Sequence, residues 1–176
     1  MGNNLNRLPE RVREHVRQLV EPAGLAGVEG AEEQLAEGWL EKHKAFDQNT
    51  AARGMAPAAD FSADEVGGAL VMTYSGSIVS IGPMVDGQRE VAYASVGARR
   101  DVPRMTSRQD SRLAADIAVD RIIEFDPGPV VKTSPVFAIT VFRKALPPAK
   151  EQAALAEVTQ VLTERFVVID NDTLHG

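Results

Sequence analysis

Apolar residues recur at steps of three and four at the start of the chain. Leu5, Leu8, Val12, Val16 and Leu19 predict one face of a helix over residues 1–20, with Pro22 helping to end it. Leu35, Trp39, Leu40, His43 and Phe46 give a second helical face between Gly30 and about Asn49. Gly38 weakens that helix by up to about 1 kcal/mol relative to Ala. Residues 51–67 are rich in Ala, Gly, Pro and Asp without a clear period, and are expected to connect helices to a sheet.

From Gly68 the period shortens to two. Strands are predicted over Ala69–Tyr74, Ser77–Val85 and Arg89–Gly97, punctuated by Ser75-Gly76 and Asp86-Gly87. Asp-Gly between extended segments is a strong hairpin signal, because both central residues of a type I′ turn need positive φ. Ser75-Gly76 is a weaker signal, with a bulge at Gly76 in one long strand as the alternative. Two further strands follow, Leu113–Phe125 and Val130–Arg143, joined by Asp126-Pro127-Gly128-Pro129. The first contains alanines that would suit a helix, but Ile117, Val119, Ile123 and Phe125 alternate with Asp116, Asp120 and Glu124, which predicts a strand.

Val136–Phe142 is apolar on both faces, so that strand is expected to be covered twice. Helices supply one cover; more helix, a second sheet or a second copy of the chain supplies the other, which motivates the expectation of a homodimer. After Pro147-Pro148 a third helix is predicted from Ala149 to about Arg165, with Leu155, Val158, Val161 and Leu162 as its apolar stripe. A short strand over Phe166–Ile169 is expected to follow, closed by Asp170-Asn171-Asp172.

These elements add up to one α+β domain over residues 1–176. Its helical part is 1–50, an antiparallel meander of about five strands occupies 68–143, and the last helix and short strand occupy 147–176. A composition of 44% hydrophobic and 25% charged residues supports a packed core rather than disorder. With no cysteine, disulfides, thiolate metal sites and thiol nucleophiles are excluded. The absence fits a reducing compartment, and Met1–Val20, interrupted by Arg7, Glu10, Arg11, Arg13, Glu14 and Arg17, carries no apolar signal segment. A cytoplasmic location is expected on both grounds. No apolar run approaches the roughly 18–20 residues of a membrane span, and a net charge of -6 disfavours binding to nucleic acid or anionic lipid.

Against that acidic balance, Arg99, Arg100, Arg104, Arg108 and Arg112 cluster in one segment with Asp101 and Asp110. Guanidinium forks match carboxylate and phosphate geometry, so Arg99, Arg100 and Arg104 are candidates for an anion clamp. The plainer account is pairing with the chain's own surplus of carboxylates, or simple solvation of a long loop. No aromatic residue interleaves the arginines, which argues against stacking on single-stranded nucleic acid. Ser75 and Ser77 join the candidate anion site because their hydroxyls and nearby amides suit a phosphate, although the stretch matches no phosphate-binding motif and hairpin punctuation explains it. No serine-nucleophile elbow is present.

Only His15, His43 and His175 are available as imidazole ligands. His43 and Asp47 lie four apart on the second predicted helix, a spacing that more simply makes a surface hydrogen bond than a metal site. No metal and no cofactor are therefore expected, and Asp116, Asp120 and Glu124 read as a solvated strand face. The expected function is a non-catalytic, self-associating binding domain that holds a small anionic ligand. The alternative is an enzyme acting on a phosphorylated or carboxylated small molecule, with Arg99, Arg100 and Arg104 orienting the substrate and His43 or Asp101 as candidate base.

Overall fold

A computed structural model describes residues 3–21, 24–94, 105–108, 112–126 and 133–166. Its helices are α1 (Asn4–Arg7), α2 (Glu10–Gln18), α3 (Ala31–Ala52) and α4 (Pro148–Phe166). A six-stranded sheet is built from β1 (Met55–Ala58), β3 (Ala69–Thr73), β4 (Ile78–Ile81), β5 (Val91–Ala94), β6 (Met105–Arg108) and β10 (Val136–Phe142). The two-residue strands β2 (Asp60–Phe61), β7 (Arg112–Leu113), β8 (Ile117–Ala118) and β9 (Phe125–Asp126) pair outside it.

The α+β architecture with an antiparallel sheet expected from the pattern is what the chain adopts. β3 to β6 form the meander, and all their pairings are antiparallel. β10 returns to insert between β1 and β3, giving the order β1-β10-β3-β4-β5-β6. The Asp86-Gly87 turn has the positive φ values its sequence demanded, 51° and 74°, with Val85 and Gln88 bridged across it. Ser75-Gly76 is a turn rather than a bulge in a continuous strand. Gly76 sits at φ 82°, its N–H donates to the Thr73 carbonyl, and Thr73 N–H donates to the Ser77 carbonyl.

Four expectations need correction. The first helix is two, because Leu8 precedes a proline and is pushed out of the helical region to φ −71°, ψ 145°. The break keeps the stripe intact, since Leu5, Leu8, Val12 and Val16 are all buried. The connection at 51–67 contains β1, an edge strand that tolerates Pro57 because one of its sides has no partner strand among the described residues. Leu113–Phe125 is not one strand: its alternation buries Leu113, Ile117 and Ile123, but the backbone turns at Val119-Asp120 and pairs only in two-residue pieces. The strand expected at 166–169 has Phe166 as the last residue of α4, and 167–169 lie outside the described residues.

Alternation along the strands divides the core in two. Leu70, Met72 and Ile78 face the helices and join Val12, Leu35, Trp39, Phe46, Leu155 and Leu162. Ala69, Val71, Val79, Ile81 and Ile139 face the other way, where Phe61, Leu113, Ile117 and Ile123 cover them. The second apolar face of β10 thus has a cover from its own chain.

In β10 the register shifts between Val136, opposite Thr73, and Ala138, opposite Met72. The extra residue is Phe137. A bulge of this kind re-aims a side chain, and here both Phe137 and Ala138 pack against the helical core, while Val136 belongs to the other one.

Candidate functional site

The bulge end of the sheet gathers side chains from five parts of the chain. Phe137 meets Trp39 of α3 edge to face, with ring centroids 4.8 Å apart, and His43 one helical turn further on at 4.9 Å. Trp39 is anchored by its indole N–H, which donates to the Tyr74 carbonyl at 2.9 Å. From α2, the Arg11 guanidinium lies 4.9 Å from the Phe137 ring centre and 5.9 Å from that of Tyr74. His15 of the same helix packs edge-on against Tyr74.

Asp120 ties these elements together. It accepts hydrogen bonds from Arg11 Nη1 at 2.6 Å and from the Tyr74 hydroxyl. Its backbone is in the left-handed region at φ 70°, an uncommon conformation for a residue with a side chain, although one that Asp tolerates. The turn is held by reciprocal backbone bonds: Asp120 N–H donates to Val136 O and Val136 N–H to Arg121 O, both at 2.8 Å. Burial first, and then the neighbouring carboxylate, pushes the Tyr74 phenol up to about 12. Tyr74 is therefore a proton donor at neutral pH and not a nucleophile.

Beside Tyr74 lies a chain of hydroxyls. Ser75 Oγ is 3.1 Å from Thr73 Oγ1 and 3.1 Å from Ser77 Oγ, and it accepts from Ser134 Oγ at 3.0 Å. Ser134 Oγ also accepts the Ser75 N–H at 3.0 Å. The turn's amides are taken up internally: Tyr74 N–H by the Pro135 carbonyl, Gly76 N–H by that of Thr73. Thr73 and Ser77 are buried and Ser75 and Ser134 half-buried, so a ligand would be met first by the hydroxyls of Ser75 and Ser134, rather than by an amide nest.

Ser75 and Ser77, predicted as anion-site residues, fall in one cluster. Arg99, Arg100 and Arg104 lie outside the described residues, as does Asp101. His43 and Asp47 make the i,i+4 contact their spacing predicted, at 3.3 Å on a partly exposed face. Among the described residues, no group of three or more His, Asp and Glu side chains comes together as metal ligands. No helix among them is long and apolar enough to cross a membrane.

Sequence reasoning missed Arg11, Tyr74 and Asp120 as a unit. Arg11 and Asp120 are 109 positions apart, and nothing local to either marks the other. The one available signal was local: Arg121-Ile122, directly after the turn-forming Asp120, breaks the alternation of the run. No protein-family model, no curated protein and no solved structure matches this chain.

Proposed function

We propose that this chain is a non-catalytic binding domain. It holds a small anionic ligand at the β3–β4 turn end of its sheet, between the hydroxyls of Ser75 and Ser77 and the arginines Arg99, Arg100 and Arg104. The observation that carries the reading is a juxtaposition. The hydroxyl cluster ends at Ser77, and the next residue, Ile78, pairs with Ala94, which pairs with Met105. The chain therefore leaves for its arginine-bearing segment one strand from the cluster and returns two strands from it, about 10 Å at the usual strand spacing. Guanidinium groups would supply charge and bidentate geometry, and the hydroxyls direction.

Native mass spectrometry of the purified protein, followed by calorimetric titration with inorganic phosphate, tests it. Expected is a bound small molecule or a measurable phosphate affinity, lost in Arg99→Ala/Arg100→Ala and weakened in Ser75→Ala/Ser77→Ala. A bare protein with no phosphate heat would overturn the reading. Self-association is part of the same proposal, and a dimer mass in that spectrum would support it; the covered second face of the sheet offers no separate argument for it. Turnover of a captured compound would favour the enzyme alternative.

A further inference from the structure

At the opposite end of β3 a cavity of about 540 Å³ opens between the start of α4, the end of β10 and the segment around β2. That volume suits a small organic molecule. Its apolar wall includes Phe61, Phe142, Val66 and Leu146, and the last two are 68% and 37% exposed. Three carboxylates line it as well, Asp60, Glu65 and Glu151, and among the described residues no lysine or arginine does.

Glu151 is the unusual member. It is 2% exposed, and its Oε2 accepts the Gly68 N–H at 2.9 Å. That bond docks α4 onto the start of β3, and the helix N-terminus favours a negative charge there. Neither contact supplies a cation, and a buried carboxylate gains most from a charged hydrogen-bond donor. Arg89 is not among the residues that line the cavity. It lies over the Phe61 ring at 5.3 Å and donates to the carbonyls of Ala63 and Glu65. The cavity is thus an apolar recess whose polar lining is rich in acceptors of one sign.

We infer that this cavity is a second binding site, and that it takes an organic cation: a protonated amine on an apolar body. The amine sits toward Glu151, the apolar body packs against Phe142 and Leu146, and Asp60 and Glu65 favour the charge from the rim. Charge complementarity selects this occupant over an anion, and it separates this site from the one proposed at the other end of the sheet.

The test is an amide chemical-shift titration of the full chain at pH 7 with three probes of similar shape: benzylamine, benzyl alcohol and benzoate. Benzylamine is expected to shift the Gly67, Gly68 and Glu151 amides, with benzyl alcohol at least about tenfold weaker and benzoate without effect, the scale of one lost charge-assisted hydrogen bond. Glu151→Gln, which retains an acceptor for Gly68, is expected to weaken benzylamine about tenfold or more. Should that variant not fold, Asp60→Asn/Glu65→Gln changes only exposed side chains and is expected to weaken the amine but not the alcohol. Equal affinity for all three probes, or no shift with benzylamine at millimolar concentration, would overturn the inference.

Discussion

The hydroxyl of Tyr74 donates to the carboxylate of Asp120, joining the end of β3 to a turn on the opposite side of the chain's course. Arg11 reaches the same carboxylate oxygen, so α2, the sheet and the turn after β8 share one acceptor. The ion pair is 40% and 52% exposed on its two sides and contributes at most about 1 kcal/mol. The bond from the mostly buried phenol is the part to test.

Tyr74→Phe is expected to cost about 1 kcal/mol in urea denaturation at pH 7. Because the folded phenol is held near 12 against about 10 unfolded, the folded state retains its proton through that window while the unfolded state loses it. The Tyr74 contribution is therefore complete below pH 10 and lost as pH rises to 12. Denaturation midpoints across that range should fall less steeply in Tyr74→Phe than in the wild type, and equal slopes would contradict the assignment.

Lys42 of α3 is 4% exposed, and burial lowers its amine to about 7. Between pH 7 and 10.5 the unfolded chain binds the extra proton, so stability rises with pH there by up to about 1.4 kcal/mol per unit. Lys42→Met should remove that slope and raise stability at neutral pH. The difference between wild-type and Lys42→Met urea midpoints, followed from pH 6 to 10, isolates this group; a pH-independent difference would mean that the amine reaches water.

Gly68 has no room for a side chain. A Cβ there would lie 2.8 Å from the Ile81 carbonyl oxygen and 2.9 Å from Leu155 Cδ1. Gly68→Ala should therefore separate α4 from the β3–β4 pair and lower stability by about 1–3 kcal/mol. Thermal unfolding by circular dichroism reads this directly, and an unchanged midpoint would show that the helix can shift freely.

Trp39→Phe retains an aromatic ring against Phe137 but leaves the Tyr74 carbonyl without its indole donor. A loss of about 1–3 kcal/mol is expected. Since Trp39 is the single tryptophan, far-UV circular dichroism rather than fluorescence must follow the transition.

The parts of the fold legible in the sequence were those governed by local rules. Asp86-Gly87 announced its own hairpin, and the apolar stripe of Leu155, Val158 and Leu162 marked a helix whose buried face needs no distant information. β1 was hidden because Met55–Ala58 is too short for a period and contains proline; only pairing with β10 makes it a strand. The 113–125 segment alternates in burial without being one strand, because strand pairing depends on distant partners such as Asp60 and Phe61, which the alternation does not record.

The candidate site divides in the same way. His43 and Asp47 were recoverable from helical spacing, and Ser75 with Ser77 from turn composition. The Phe137 bulge was not, since a one-residue offset between strands leaves no mark on either strand alone. Glu151 escaped notice because a glutamate in a first helical turn looks like ordinary dipole compensation until Gly68 is brought against it.

The late arrival of β10 constrains how the protein is made. Among the described residues β1 pairs only with β10, and β3 has β10 as its second neighbour, so the gap between them stays open until residues 136–142 leave the ribosome. Until then the nascent chain carries Leu70, Val71 and Met72 along an unpaired strand edge, the kind of surface that invites aggregation. A chain truncated before Val136 would be locked in that interval, with α1 to α3 synthesised, α4 missing and its sheet unfinished.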